Sequence, residues 1–148
     1  MTGENQNKIT YLRRYLAAKS RVIECQNRLE KLRAESEGVR AINYERADMP
    51  KAHNTEHDLS DVFAKIDQME QLWVSRMAEA KLTQLEVDAA INALSAPDPV
   101  RTELLQRLLR QRYIDGDTWE QIALNLSYTW RQTINIHGEA LHYFRIPS

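Results

Sequence analysis

A heptad stripe opens the chain and constrains it most. Stepping from Tyr11 alternately by four and three gives Tyr11, Tyr15, Ala18, Val22, Cys25, Leu29, Leu32, Ser36 and Val39. Eight of these nine can sit in an apolar seam, and Arg, Lys, Glu, Gln and Asn fill the space between them. A narrow stripe with charged flanks is the pattern of a coiled-coil seam rather than of a broad core-facing surface. It suits a helix packed on its own domain, or a two-helix hairpin or oligomerising coil, and the narrowness favours the hairpin or coil. A second stripe follows: Val62, Ile66, Met69, Trp73, Arg76, Ala80, Thr83, Val87, Ala90 and Leu94, with Arg76 and Thr83 as weak layers. Two heptad helices predict an antiparallel hairpin of roughly 45–50 Å at the rise of an α-helix.

Turn-formers are scarce. Gly and Pro number four each in 148 residues, too few for a sandwich or barrel. The predicted class is all-α: a long helical hairpin or coiled coil followed by a C-terminal helix-turn-helix. Residues 40–58, with Met49-Pro50 and a polar run, are expected to be a loop joining the long helices. Asp58 or Ser60 is the expected cap of the second. That helix has an alternative break near Thr83. His53 and His57 stand four apart, but they read as solvated loop histidines, because no third ligand is near. Pro97-Asp98-Pro99 marks the expected boundary between an oligomerisation region, 1–96, and a C-terminal helix-turn-helix region, 97–148. Asp98 caps there, and Pro99 has its φ pre-set for a first helical turn.

Charge and composition exclude several classes. The net charge is −1, so the chain is no bulk polycation. Residues 1–50 carry ten Lys/Arg and seven Asp/Glu, 51–97 carry four and eight, and 98–148 carry six and six. The basic arm, with Lys8, Arg13, Arg14, Lys19 and Arg21, reads as the polar face of the coil or as extra phosphate contacts. One cysteine, Cys25, excludes an internal disulfide. It lies on the seam and reads as a small hydrophobe. No apolar run is long enough for a membrane helix, and the start is too polar for a signal peptide, so a cytoplasmic protein is expected. Nothing resembles a phosphate loop or a catalytic constellation, and neither an enzyme nor a cofactor is expected.

The last third of the chain carries the specific signal. Leu104, Leu105, Leu108 and Leu109 give an inward face to a helix running from Pro99 to Tyr113, which Asp115-Gly116-Asp117 ends. Thr118-Trp119-Glu120-Gln121 and Thr129-Trp130-Arg131-Gln132 both have the capping-box form, a hydroxyl followed three residues later by Gln. The first opens a short helix with Ile122, Ala123 and Leu126 on its apolar face. The second opens a helix through about Phe144. Two helices, a tight connection at Ser127-Tyr128 and a small residue at the crossing make a helix-turn-helix. Its second helix would enter the major groove, presenting Trp130, Arg131, Ile134 and Asn135, while Thr133, Ile136 and Ala140 face the core. Arg131 can bond guanine in a bidentate way, and Asn135 can do the same to adenine. Gln132 sits at the edge, and the Thr129 hydroxyl suits a phosphate. The competing reading is a helical hairpin that binds protein, anchored by Trp130.

Residues 112–141 add a resemblance. Arg112-Tyr113-Ile114 through Trp119, then Leu126-Ser127-Tyr128-Thr129, then His137-Gly138-Glu139-Ala140-Leu141 resemble the C-terminal part of phage ArpU/RinA-like transcriptional regulators. That part is itself similar to the fourth region of sigma factors. The resemblance implies a double-stranded DNA-binding protein that activates or modulates late-gene transcription, with host RNA polymerase as a possible partner. It makes His137 a family feature, a phosphate contact or a cap for the preceding helix; read from its own position, His137 suits a structural hydrogen bond within the motif better than a base contact. A lone neutral helix-turn-helix releases few counterions and binds weakly, so a homo-oligomer is expected, with a dimer as first choice. The rival classes are a phage small terminase subunit and a helical scaffold without DNA.

Overall fold

The computed structural model describes residues 3–45 and 55–148, with side chains for 3–38 and 59–148. Every regular element among them is a helix: α1 (Gly3–Leu12), α2 (Arg14–Glu45), α3 (Thr55–Asn92), α4 (Pro99–Tyr113), α5 (Trp119–Leu126) and α6 (Trp130–Tyr143). None is long and apolar enough to cross a membrane. α1 and α2 are separated only by a turn at Arg13. The Arg13 N–H donates to the Ile9 carbonyl at 2.9 Å and the Ala17 N–H to the Arg13 carbonyl at 3.0 Å, so helical bonding carries through.

Both heptad stripes sort by burial as their spacing predicts. Ala18, Cys25, Leu29 and Ser36 are buried along the first, and Ile66, Ala80, Thr83, Val87, Ala90 and Leu94 along the second. The helix ends differ from expectation. α2 extends to Glu45 and α3 begins at Thr55, so the connection is shorter than 40–58. Asp58 and Ser60 therefore lie inside α3 and do not cap it. Both sit in polar, charged sequence that continues a helix as readily as a loop, which is why composition misplaced the boundary. Met49-Pro50 and His53 lie outside the described residues. α3 does not break at Thr83. The Thr83 hydroxyl donates to the Glu79 carbonyl at 2.8 Å inside an unbroken helix, an i−4 bond that leaves the ladder intact.

The chain divides into two compact units, Met1–Ala18 with Glu79–Ser148, and Lys19–Ala78. The expected boundary at 96/97 does not coincide with this division. Pro97 and Pro99 end one helix and start another, but apolar residues on both sides share one core. Ile9, Leu12, Val87 and Ile91 pack with Leu105, Leu108, Leu109, Tyr113, Ile122, Ile136, Leu141 and Phe144. Each large aliphatic side chain so buried contributes roughly 1.5–3 kcal/mol. The α3–α4 corner is closed by polar groups. Asp98 Oδ1 accepts from the Val100 N–H at 3.2 Å. Gln106 Nε2 donates to the Leu94 carbonyl at 3.0 Å and the Asn92 carbonyl at 3.2 Å, satisfying the end of α3.

Lys8 is the unexpected element of this core. It is only 7% exposed, and its Nζ donates to the Leu141 carbonyl at 2.7 Å. That carbonyl is among the last four of α6, which lack helical partners and sit at the negative end of the helix dipole. Glu4 Oε1 stands 3.6 Å from the same ammonium. Lys8 thus serves the core and is withdrawn from any phosphate-binding arm. Arg14 likewise bonds Glu86 Oε2 at 3.1 Å. Lys8→Met keeps the aliphatic stem and removes the donor. It should cost about 2 kcal/mol, the scale of a charged hydrogen bond whose buried acceptor is orphaned. A urea titration would show this as a lower midpoint at unchanged slope, and an unchanged midpoint would deny the bond any structural weight.

Candidate nucleic-acid interface

α5 and α6 are started by the same device. The Thr118 hydroxyl oxygen accepts from the Gln121 N–H at 3.2 Å, and Gln121 Oε1 accepts from the Thr118 N–H at 2.9 Å. Thr129 and Gln132 repeat this at 3.1 and 2.9 Å. Both capping boxes are complete. Between the two helices the chain turns on Ser127, whose φ of 60° places it in the left-handed region. The Tyr128 N–H reaches back to the Ala123 carbonyl at 3.0 Å and the Ser127 N–H to the Leu124 carbonyl at 3.3 Å. This is the Schellman pattern, with serine in the place glycine usually takes. α4 is capped at Ile114, and two residues on Gly116 turns the chain with a φ of 76°, a conformation that favours glycine.

α6 has two chemically distinct faces. Thr133, Ile136, His137, Ala140 and Leu141 are buried. Arg131, Asn135, Gly138 and His142 are exposed. Their spacing of four, three and four places them in one row along the helix. Trp130 is 54% exposed beside that row, and Ile134 is half-buried. Gly138 has nothing within 4 Å of where a Cβ would stand, so the row has open space around its middle. Thr129 and Gln132 are exposed at the helix start. Gln132 Oε1 already accepts from the Thr129 N–H, which leaves its amide hydrogens and one oxygen lone pair for a partner.

His137 stands apart from the other residues expected at the interface. It is buried, with Nε2 at 2.8 Å from the Tyr113 hydroxyl. The Trp119 ring meets it edge-on at 4.7 Å between centroids, and the Arg112 guanidinium lies over that indole at 4.4 Å. Arg112 also donates to the Asp117 carbonyl at 3.1 Å. This cluster ties the end of α4 and the start of α5 to the middle of α6. Burial, followed by the nearby positive charges of Arg112 and Arg13, pushes His137 down to about 4. Burial raises Tyr113 to about 12. Both groups are neutral at pH 7. His137 accordingly belongs to the inner face, and a phosphate or base contact from it is excluded by its packing. Helical spacing carried the signal, since 137 lies four after Thr133 and three before Ala140.

A second tie holds α6 to α4. Arg101 Nε donates to Glu139 Oε1 at 3.0 Å and Oε2 at 3.1 Å, with Nη2 on Oε2 as well. The bidentate hydrogen bond holds the Glu139 carboxyl below its ordinary range and raises Arg101. Sequence reading missed this pair because its members lie 38 residues apart and share no motif.

No family model, no curated protein and no solved structure matches the chain.

Proposed function

We propose that the chain is a sequence-reading DNA-binding protein in which α5 and α6 act as a helix-turn-helix. The observation that carries this reading is the sorting of α6. Arg131 and Asn135, the two side chains able to bond base edges in a bidentate way, share one exposed row, while the opposite face is fixed by Thr133, Ile136, His137, Ala140 and Leu141. In this reading α6 lies in the major groove. Thr129 and the first N–H groups of α6 meet a phosphate, and Trp130 and Ile134 lie against thymine methyls or sugar. The rigidity of the mount supports it: two complete capping boxes, a Schellman turn and the His137 cluster fix the angle at which the row is presented.

The C-terminal stretch, 98–148, is charge-balanced, so affinity cannot rest on electrostatic attraction alone. The long helices α2 and α3, read as a hairpin, would join two copies and make the second DNA contact intramolecular. The role is that of a phage-type transcriptional regulator acting as a homodimer. Selection of duplexes from a random pool by the full chain, at about 150 mM salt, tests it. The expected result is an enriched motif repeated at one helical turn, ~10 base pairs. A pool that emerges unenriched and unbound would overturn the reading.

A further inference from the structure

The unit formed by Lys19–Ala78 carries a groove that lies outside the base-reading helix α6. It has a volume of about 470 Å³, and its apolar floor is made by Leu32 of α2 with Met69 and Leu72 of α3. Arg28 and Lys31 stand on one wall and Lys65 on the other. Gln68 completes the lining, which contains no acidic residue. This segregation is local. Residues 19–78 hold ten Lys/Arg and eleven Asp/Glu, so an evenly mixed surface would place carboxylates in the groove as often as cations. Leu72 is 41% exposed, and Leu32 and Met69 are half-buried.

We propose that this groove docks an acidic amphipathic helix of a partner protein. The occupant's apolar residues, spaced three or four apart, lie on Leu32, Met69 and Leu72, and its flanking carboxylates meet Lys31, Lys65 and Arg28. Charge complementarity names the sign of the partner, and the floor names its amphipathic character. The lining runs from position 65 to 72 on α3, about two turns or roughly 10 Å, which accommodates anchor side chains from successive turns. Nucleic acid is a poorer occupant, because its phosphates have no use for the apolar floor. A bilayer is poorer too, because a concave groove cannot insert into it. Arg28 also bonds Glu24 at 2.9 Å, which leaves the two lysines as the cations that respond most to a partner. The proposal does not depend on base reading by α6, but it requires that a homodimer formed through α2 and α3 leave this groove open.

The test uses the full chain and a fluorescein-labelled helical probe of about 18 residues, with leucines on one face and glutamates on its flanks. Fluorescence anisotropy at about 100 mM salt should give saturable binding in the micromolar range. Lys31→Glu with Lys65→Glu should weaken it at least ~10-fold and create binding to a probe whose glutamates are replaced by lysines. Leu72→Ser, at a half-exposed position that endangers no core, should also weaken the acidic probe. The proposal is overturned by absent saturation up to about 1 mM, or by equal affinity for both probes from the unaltered chain. It is also overturned if anionic phosphatidylglycerol vesicles bind where the probe does not. Finally, it fails if the double lysine variant lowers the mass of the probe-free protein in light scattering, since a second copy then fills the groove.

Discussion

Arg131→Ala combined with Asn135→Ala should lower affinity for the selected duplex by at least about 30-fold while leaving the thermal midpoint within a degree or two. Each bidentate base contact carries about 1–3 kcal/mol of discrimination, and 1.4 kcal/mol is tenfold. Both side chains are exposed and neither holds α6 in place, so folding has no stake in them. Arg131→Lys separates charge from geometry: it should keep weak, sequence-blind binding and lose preference at one base pair, because an ammonium cannot form the fork. Gln132→Ala should act on stability rather than on the base code. It breaks the bond from Gln132 Oε1 to the Thr129 N–H and costs about 1 kcal/mol at the helix start. A double variant that binds the selected duplex as the unaltered chain does would remove α6 from the groove, whatever the pool had shown.

The all-α class was legible because two signals agreed. The heptad spacing and the scarcity of Gly and Pro both demand long helices, and the buried positions Cys25, Leu29, Ile66, Val87 and Leu94 fall on the expected seams. Caps were legible where a side chain satisfies its own backbone within four residues, as at Asp98, Thr118 and Thr129. The start of α3 was not, since nothing local separates a polar helical turn from a polar loop when tertiary packing decides. The long-range ties were also hidden. Lys8 with Leu141, and Arg101 with Glu139, join residues 133 and 38 positions apart, and either partner alone reads as a surface charge. The outer row of α6 could be read because it needs only the helical period. The division into units could not, because it depends on which ends of α2 and α3 share a core with α4–α6.

His137 gives the stability of the protein an acid limb that exposed histidines do not give. In the unfolded chain the imidazole titrates near 6.5, whereas burial lowers it in the folded protein to about 4. Between these values the unfolded state binds the extra proton, so stability falls as pH falls. The contribution is fully present above pH 6.5 and is lost progressively down to about 4. It amounts to about 2 kcal/mol by pH 5 and roughly 3 kcal/mol in all, at 1.36 kcal/mol per pH unit of difference. Glu139, held low by Arg101, acts in the same direction but in a lower window, beginning near the ordinary carboxylate value of 4.5. Urea titrations at pH 7.5, 6 and 5 isolate His137 when paired with His137→Gln. That variant loses the ring contact with Trp119 and should be less stable at pH 7.5, by about 1–2 kcal/mol. The gap between the two proteins should then close as pH falls to 5, because glutamine does not titrate. Equal pH slopes would mean that His137 takes up its proton without leaving the Tyr113 hydroxyl and the Trp119 edge. The cluster would then be loose enough to admit water, and the rigid presentation of Arg131 and Asn135 would lose its physical basis.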